Sequence, residues 1–120
     1  MNVRLTKSFE FDCAHYLPCF AEGHKCRNMH GHTMRLDVVL EGAVPDGRDY
    51  LIDFAEIKNA TQPIIDQLDH KLLNDLDGLV GSPTVENLCK WVWDMLKPNL
   101  PYLLMVRIYE TPTNICEYRG

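Results

Sequence analysis

His15, Cys26, His30 and His32 carry the residue types of a metal site with a reactive thiol beside it. Imidazole nitrogen is the usual protein ligand of catalytic zinc, and three protein ligands leave a fourth tetrahedral position for water or substrate. That open position separates an enzyme's zinc from a structural one. With Cys26 as a fourth ligand, the set would instead close into a tetrahedron of three histidines and one cysteine, without chemistry. A lone histidine on an apolar face is most often a satisfied core residue. What singles these out is that all three fall in register with strand patterns.

His30 and His32 are two residues apart and share one face of an extended chain. They continue the parity of Met34, Leu36, Val38 and Leu40, which alternate with Thr33, Arg35, Asp37 and Val39. Gly31 between them permits a close approach. Upstream, Val3, Leu5, Phe9, Phe11 and Cys13 alternate with Arg4, Thr6, Ser8, Glu10 and Asp12, and His15 keeps the apolar parity. Two neighbouring antiparallel strands of this kind would bring three inward imidazoles to one point.

The elements that must hold those strands follow. Gly42 to Asp49 is a turn-rich break. Asp53 with Glu56 has the form of a helix N-cap and its reciprocal partner, and Phe54, Ile57, Ile64, Ile65 and Leu68 make one stripe, with a kink or break expected at Pro63. Thr84 caps a second helix, Glu86 suits its dipole, and Val85, Leu88, Cys89, Val92 and Leu96 face inward up to Lys97-Pro98. Trp91 and Trp93 read as packing residues. Leu104, Val106 and Ile108 then alternate as a third strand, and 115–119 forms a short partner. The pattern predicts one α+β domain over 1–120: a four-stranded antiparallel sheet, with both helices between strands two and three and packed on one face. Its two open edges call for covering or for pairing with other subunits.

The length of 120 residues suits one core, and a net charge of -5 argues against nucleic acid as the main partner. Five cysteines without a C-x-x-C pair read as reduced thiols of a cytoplasmic protein. No apolar run approaches the roughly 18 residues of a membrane span, so no membrane association is expected.

Two further spots hold ionisable groups. Asp69-His70 sits at the end of the first helix, where sequence neighbours need not touch. Glu110 falls on the parity of Leu104, Val106 and Ile108, so its carboxylate turns inward and must meet a cation or several donors, such as the amino groups of a substrate.

Glu22-Gly23-His24-Lys25-Cys26 with His30-Gly31-His32, Asp53-Phe54-Ala55-Glu56, Leu68-Asp69-His70, Pro83-Thr84 with Glu86-Asn87, Tyr109-Glu110-Thr111 and the terminal Tyr118-Arg119-Gly120 together resemble the 6-pyruvoyl-tetrahydropterin synthase superfamily. The similarity runs from about Lys7 to the last residue and is nearest to the bacterial branch that makes 6-carboxy-5,6,7,8-tetrahydropterin for queuosine. This resemblance implies a tunnelling fold, with a barrel completed by neighbouring subunits, commonly as a hexamer of two stacked trimers with active sites between subunits. It implies that His15, His30 and His32 hold Zn2+ and that Cys26 is the general base. His70 would be the second acid-base group, supported by Asp69, and Glu110 would complete the relay or grip the pterin. The implied reaction converts 7,8-dihydroneopterin triphosphate to the carboxylated product with release of triphosphate and acetaldehyde. The pyruvoyl branch shares metal and substrate but keeps the three-carbon side chain. By charge alone Lys25, Arg27, Lys71 and Arg119 are candidates to hold the triphosphate, with a solvated surface residue as the default reading of each, as it is of His24.

Overall fold

The computed structural model describes all 120 residues. The two alternating segments become β1 (Asn2–His15) and β2 (His30–Ala43), paired antiparallel along their whole length, with Leu5 opposite Leu40 and His15 opposite His30. They are followed by α1 (Phe54–Leu68), β3 (Lys71–Leu72), α2 (Val85–Leu96), β4 (Leu103–Thr111) and β5 (Asn114–Tyr118). The sheet order is β3-β1-β2-β4-β5.

The α+β class and the single helical layer are as expected, but the sheet has five strands, not four. The addition is β3, which separates the two helices in the chain and lies parallel to β1, with Lys71 beside Cys13 and Leu72 beside Ala14. A two-residue strand has no alternation to read. Tertiary contact positions it: the N–H of His70 donates to the carbonyl of Asp12 at 2.6 Å, docking the end of α1 onto β1.

Local signals explain both helices. The Asp53 carboxylate accepts the Ala55 N–H at 2.8 Å, and Glu56 in the first turn suits the helix dipole. The helix is continuous through Pro63, so the proline does not break it. Pro63 and Asn59 are both exposed, so water can take the Asn59 carbonyl that loses its helical donor. Thr84 Oγ1 accepts the Asn87 N–H at 3.3 Å and starts α2. Trp91 and Trp93 are buried packing residues, and Trp91 Nε1 donates to the Asp77 carbonyl at 3.0 Å.

The core lies between the helices and the inner sheet face, where Phe11, Leu36, Val38, Ile57, Leu88 and Ile108 are among its buried members. One expected parity fails. Val39 pairs with Met105 but Leu40 with Leu103, so an irregularity at Leu104 puts Leu103 in the core and leaves Leu104 half-buried. Bulges of this kind change which side chain faces inward.

The helix-free face carries a buried carboxylate. Asp37 accepts from Ser8 Oγ at 2.6 Å, Arg35 Nε at 3.1 Å and Nη2 at 3.2 Å, and Arg107 Nη1 at 3.2 Å. Arg107 also reaches Glu117 at 3.2 Å, so one charge network ties β1, β2, β4 and β5 together. Outside the short pairing with β3, β1 has an unpaired outer edge, and so does β5. No helix is long and apolar enough to cross a membrane.

Candidate metal centre and substrate cleft

The antiparallel register that aligns Leu5 with Leu40 also sets His15 opposite His30 and Cys13 opposite His32. The three imidazoles meet at the end of the inner face, with ring centroids 4.5 Å apart for His15 and His30, 5.1 Å for His15 and His32, and 5.0 Å for His30 and His32. One nitrogen from each falls within 4.8 Å of the others. Cys26 belongs to no such cluster, so the closed four-ligand arrangement is not formed within this chain.

Hydrogen bonds outside the cluster orient two of the rings. His15 Nδ1 donates to the Pro83 carbonyl at 2.8 Å, and His30 Nδ1 donates to the Asn28 carbonyl at 2.7 Å. Holding the proton on Nδ1 turns the Nε2 lone pair toward the centre, as metal-binding histidines require. His15 Nε2 and His32 Nε2 are buried without any hydrogen-bond partner. A buried unpaired acceptor costs about 1–3 kcal/mol, and two aimed at one point fit a metal ion. Burial lowers the pKa of His15 and of His32 below the ordinary histidine value, with the neighbouring imidazoles adding to the effect; the Pro83 bond opposes it for His15, and Glu110 opposes it for both. The neutral, ligating form is therefore the favoured one.

Beside His32 opens a cleft of about 520 Å³, lined by Glu10, His32, Arg35, Tyr109, Glu110 and Thr111 among others. That size suits a small-molecule ligand. Glu110 is half-buried there, as its parity implied. The Arg35 guanidinium lies 3.8 Å from the centre of the Tyr109 ring.

Asp69 and His70 do touch, despite being sequence neighbours: His70 Nδ1 lies 3.1 Å from Asp69 Oδ2. Asp69 closes α1, and His70 takes a left-handed backbone with φ of 58°. Without a glycine to accept that conformation, the local cost is of order 1 kcal/mol, a form of strain that gathers at functional sites. The Asp12 N–H donates to Asp69 Oδ1 at 2.9 Å, and this bond, followed by that from His70, holds the Asp69 carboxyl below its usual pKa. Asp12 brings its own carboxylate into the group, a residue that parity alone had left on the outer face. The imidazole of His70 is 77% exposed, so in the single chain the dyad faces solvent.

Cys26 is half-buried in a one-turn 3-10 segment, Lys25–Arg27, in the connection between β1 and β2. The structure thus gathers the histidines at one point and Asp69 with His70 at another, with Cys26 in neither group.

A model of the 6-pyruvoyl tetrahydropterin synthase family matches residues 4–120. The chain belongs to that family. It is 41% identical over 100 residues to the 6-pyruvoyl tetrahydrobiopterin synthase of Dictyostelium discoideum, covering 80% of this chain and 74% of that protein. It is 36% identical over 118 residues to the 6-carboxy-5,6,7,8-tetrahydropterin synthase of Synechocystis, covering 93% and 89%. A dihydroneopterin monophosphate aldolase of Pyrococcus furiosus is 33% identical over 101 residues, covering 84% and 81%. The solved structure of the Caenorhabditis elegans 6-pyruvoyl tetrahydropterin synthase superposes with a TM-score of 0.90 at 27% identity, covering all of this chain and 96% of that one. The tunnelling fold of the family is therefore the fold of this chain.

Proposed function

We propose that this pterin synthase is a zinc-dependent lyase that converts 7,8-dihydroneopterin triphosphate and one water to 6-carboxy-5,6,7,8-tetrahydropterin, acetaldehyde and triphosphate, for queuosine biosynthesis in the cytoplasm. The observation that carries the metal-dependent reading is the pair of orphaned Nε2 atoms on His15 and His32, aimed at a centre shared with His30. The likeness to the Synechocystis enzyme over nearly the whole chain supports the carboxylated product.

In this reading His15, His30 and His32 hold the zinc, which supplies Lewis acidity to the hydroxyls of the substrate side chain. Glu110 grips the pterin, because a carboxylate accepts two parallel donors such as the 2-amino group and ring N–H. The Cys26 thiolate takes a proton from a side-chain carbon. His70 moves the second proton, with Asp69 orienting its Nδ1 and stabilising the imidazolium. The exposure of the Asp69–His70 pair and the unpaired edges of β1 and β5 support sites completed between subunits, in a hexamer of two stacked trimers.

The test is to incubate the zinc-loaded protein with 7,8-dihydroneopterin triphosphate, identify the pterin by mass and assay acetaldehyde in the same tube. Carboxylated product with matching acetaldehyde is expected. A pterin that keeps three side-chain carbons, without acetaldehyde, would move the protein to the pyruvoyl branch, the reading favoured by the likeness to the Dictyostelium enzyme.

A further inference from the structure

The β1–β2 connection is a hydrogen-bonded loop in which two of the bonds hold the backbone of Cys26. Its ends are joined by the Leu17 N–H, which donates to the Cys26 carbonyl at 2.8 Å. Arg27 Nη1 donates to the carbonyls of Pro18 at 3.0 Å and Phe20 at 2.8 Å, holding the chain that leads into the loop. The rings of Phe20 and His24 stack with centroids 4.3 Å apart and planes 12° from parallel. His24 Nδ1 then accepts the Cys26 N–H at 3.1 Å, capping the one-turn segment that presents the thiol.

Both polar backbone groups of Cys26 are thereby tied down, the carbonyl by Leu17 and the N–H by His24. The first bond links the two ends of the loop. The second depends on one side chain, and the Phe20 stack fixes the plane of its ring. An accepting Nδ1 also requires that a neutral His24 carry its proton on Nε2. The direction in which the sulfur leaves the backbone follows from that peptide, and proton abstraction is sensitive to displacements on the order of 1 Å.

We infer that His24, although exposed, is a positioning residue for Cys26, acting through its Nδ1 as the cap that aims the thiol. This rests on the reading of Cys26 as the proton acceptor. Asparagine is among the preferred capping residues and also offers an acceptor, whereas alanine offers none, so the two substitutions separate the cap from the imidazole.

The experiment compares wild type, His24→Ala, His24→Asn and Cys26→Ala as zinc-loaded proteins. It reads kcat and KM for 7,8-dihydroneopterin triphosphate, and the rate of iodoacetamide modification at Cys26 by peptide mass. With His24→Ala, kcat is expected to fall about five- to tenfold, the factor a lost cap implies, with KM and the alkylation rate held or the latter raised. His24→Asn is expected to recover most of the loss. An unchanged kcat in His24→Ala would overturn the inference, as would an asparagine variant as slow as the alanine one. A parallel fall of alkylation and kcat would also overturn it, because His24 would then govern the thiol's acidity and not its placement. A fully active Cys26→Ala would remove the thiol from the reaction and with it both readings; an inactive Cys26→Ala beside an unaffected His24→Ala would remove only the role of His24.

Discussion

Stripping the metal tests the histidine cluster most directly, because its cost can be worked from two atoms. His15 Nε2 and His32 Nε2 are buried with no partner. Leaving a buried acceptor unpaired costs about 1–3 kcal/mol, so the metal-free fold carries roughly 2–6 kcal/mol that a bound cation would relieve. For a chain of this length each kcal/mol moves Tm by about 3–5 °C, which places the expected fall on chelation at about 6–30 °C. The assay is calorimetric melting at one fixed protein concentration of loaded, EDTA-stripped and zinc-restored samples, since ligand and subunit concentration both shift Tm. His15→Ala serves as the control whose melt should not respond to the chelator. Coincident melts of loaded and stripped wild type would show that the orphaned nitrogens are not a metal's ligands.

Asp37→Ala removes the acceptor of four hydrogen bonds on the helix-free face. Its partners Arg35 and Arg107 are 44% and 25% exposed, so the penalty for breaking a buried pair is discounted to about 2–3 kcal/mol. Urea unfolding at fixed protein concentration reads it, and a change below about 0.5 kcal/mol would place the network among ordinary surface substitutions. Burial, followed by the charge of Asp12, pushes the Cys13 thiol up to about 12, and burial likewise raises Cys89. Both should resist alkylation at mildly alkaline pH while exposed Cys19 reacts; labelling of Cys13 in the native protein would count against its burial. Because the native pKa of Cys13 lies above its unfolded value of 9.0, its contribution to stability is complete below pH 9 and is lost as pH rises toward about 12. The alkaline loss should be shallower in Cys13→Ala.

Features whose physics is local were legible in the amino-acid sequence. Alternation along β1 and β2 placed His15, His30 and His32 on one apolar face, because side chains in a strand repeat every second residue. Asp53 and Thr84 marked where the helices begin, because their side chains cap the first turns. Glu110 was legible by the same parity, although Leu104 next to the bulge was not, since a register shift depends on the partner strand and leaves no mark of its own. Other features arise from contacts between distant segments. Asp12 joined Asp69 and His70 only because β3 docks beside β1, through contacts between residues 57 positions apart. The Pro83 carbonyl became the orienting partner of His15 across 68 positions. The hydrogen bond from Cys26 to His24 is local in sequence, yet it too was illegible, because a histidine whose Nδ1 caps a turn and one that makes no such bond have the same letters around them. Pairing at long range is set by which surfaces the packed core brings together, and no periodicity in the chain encodes it.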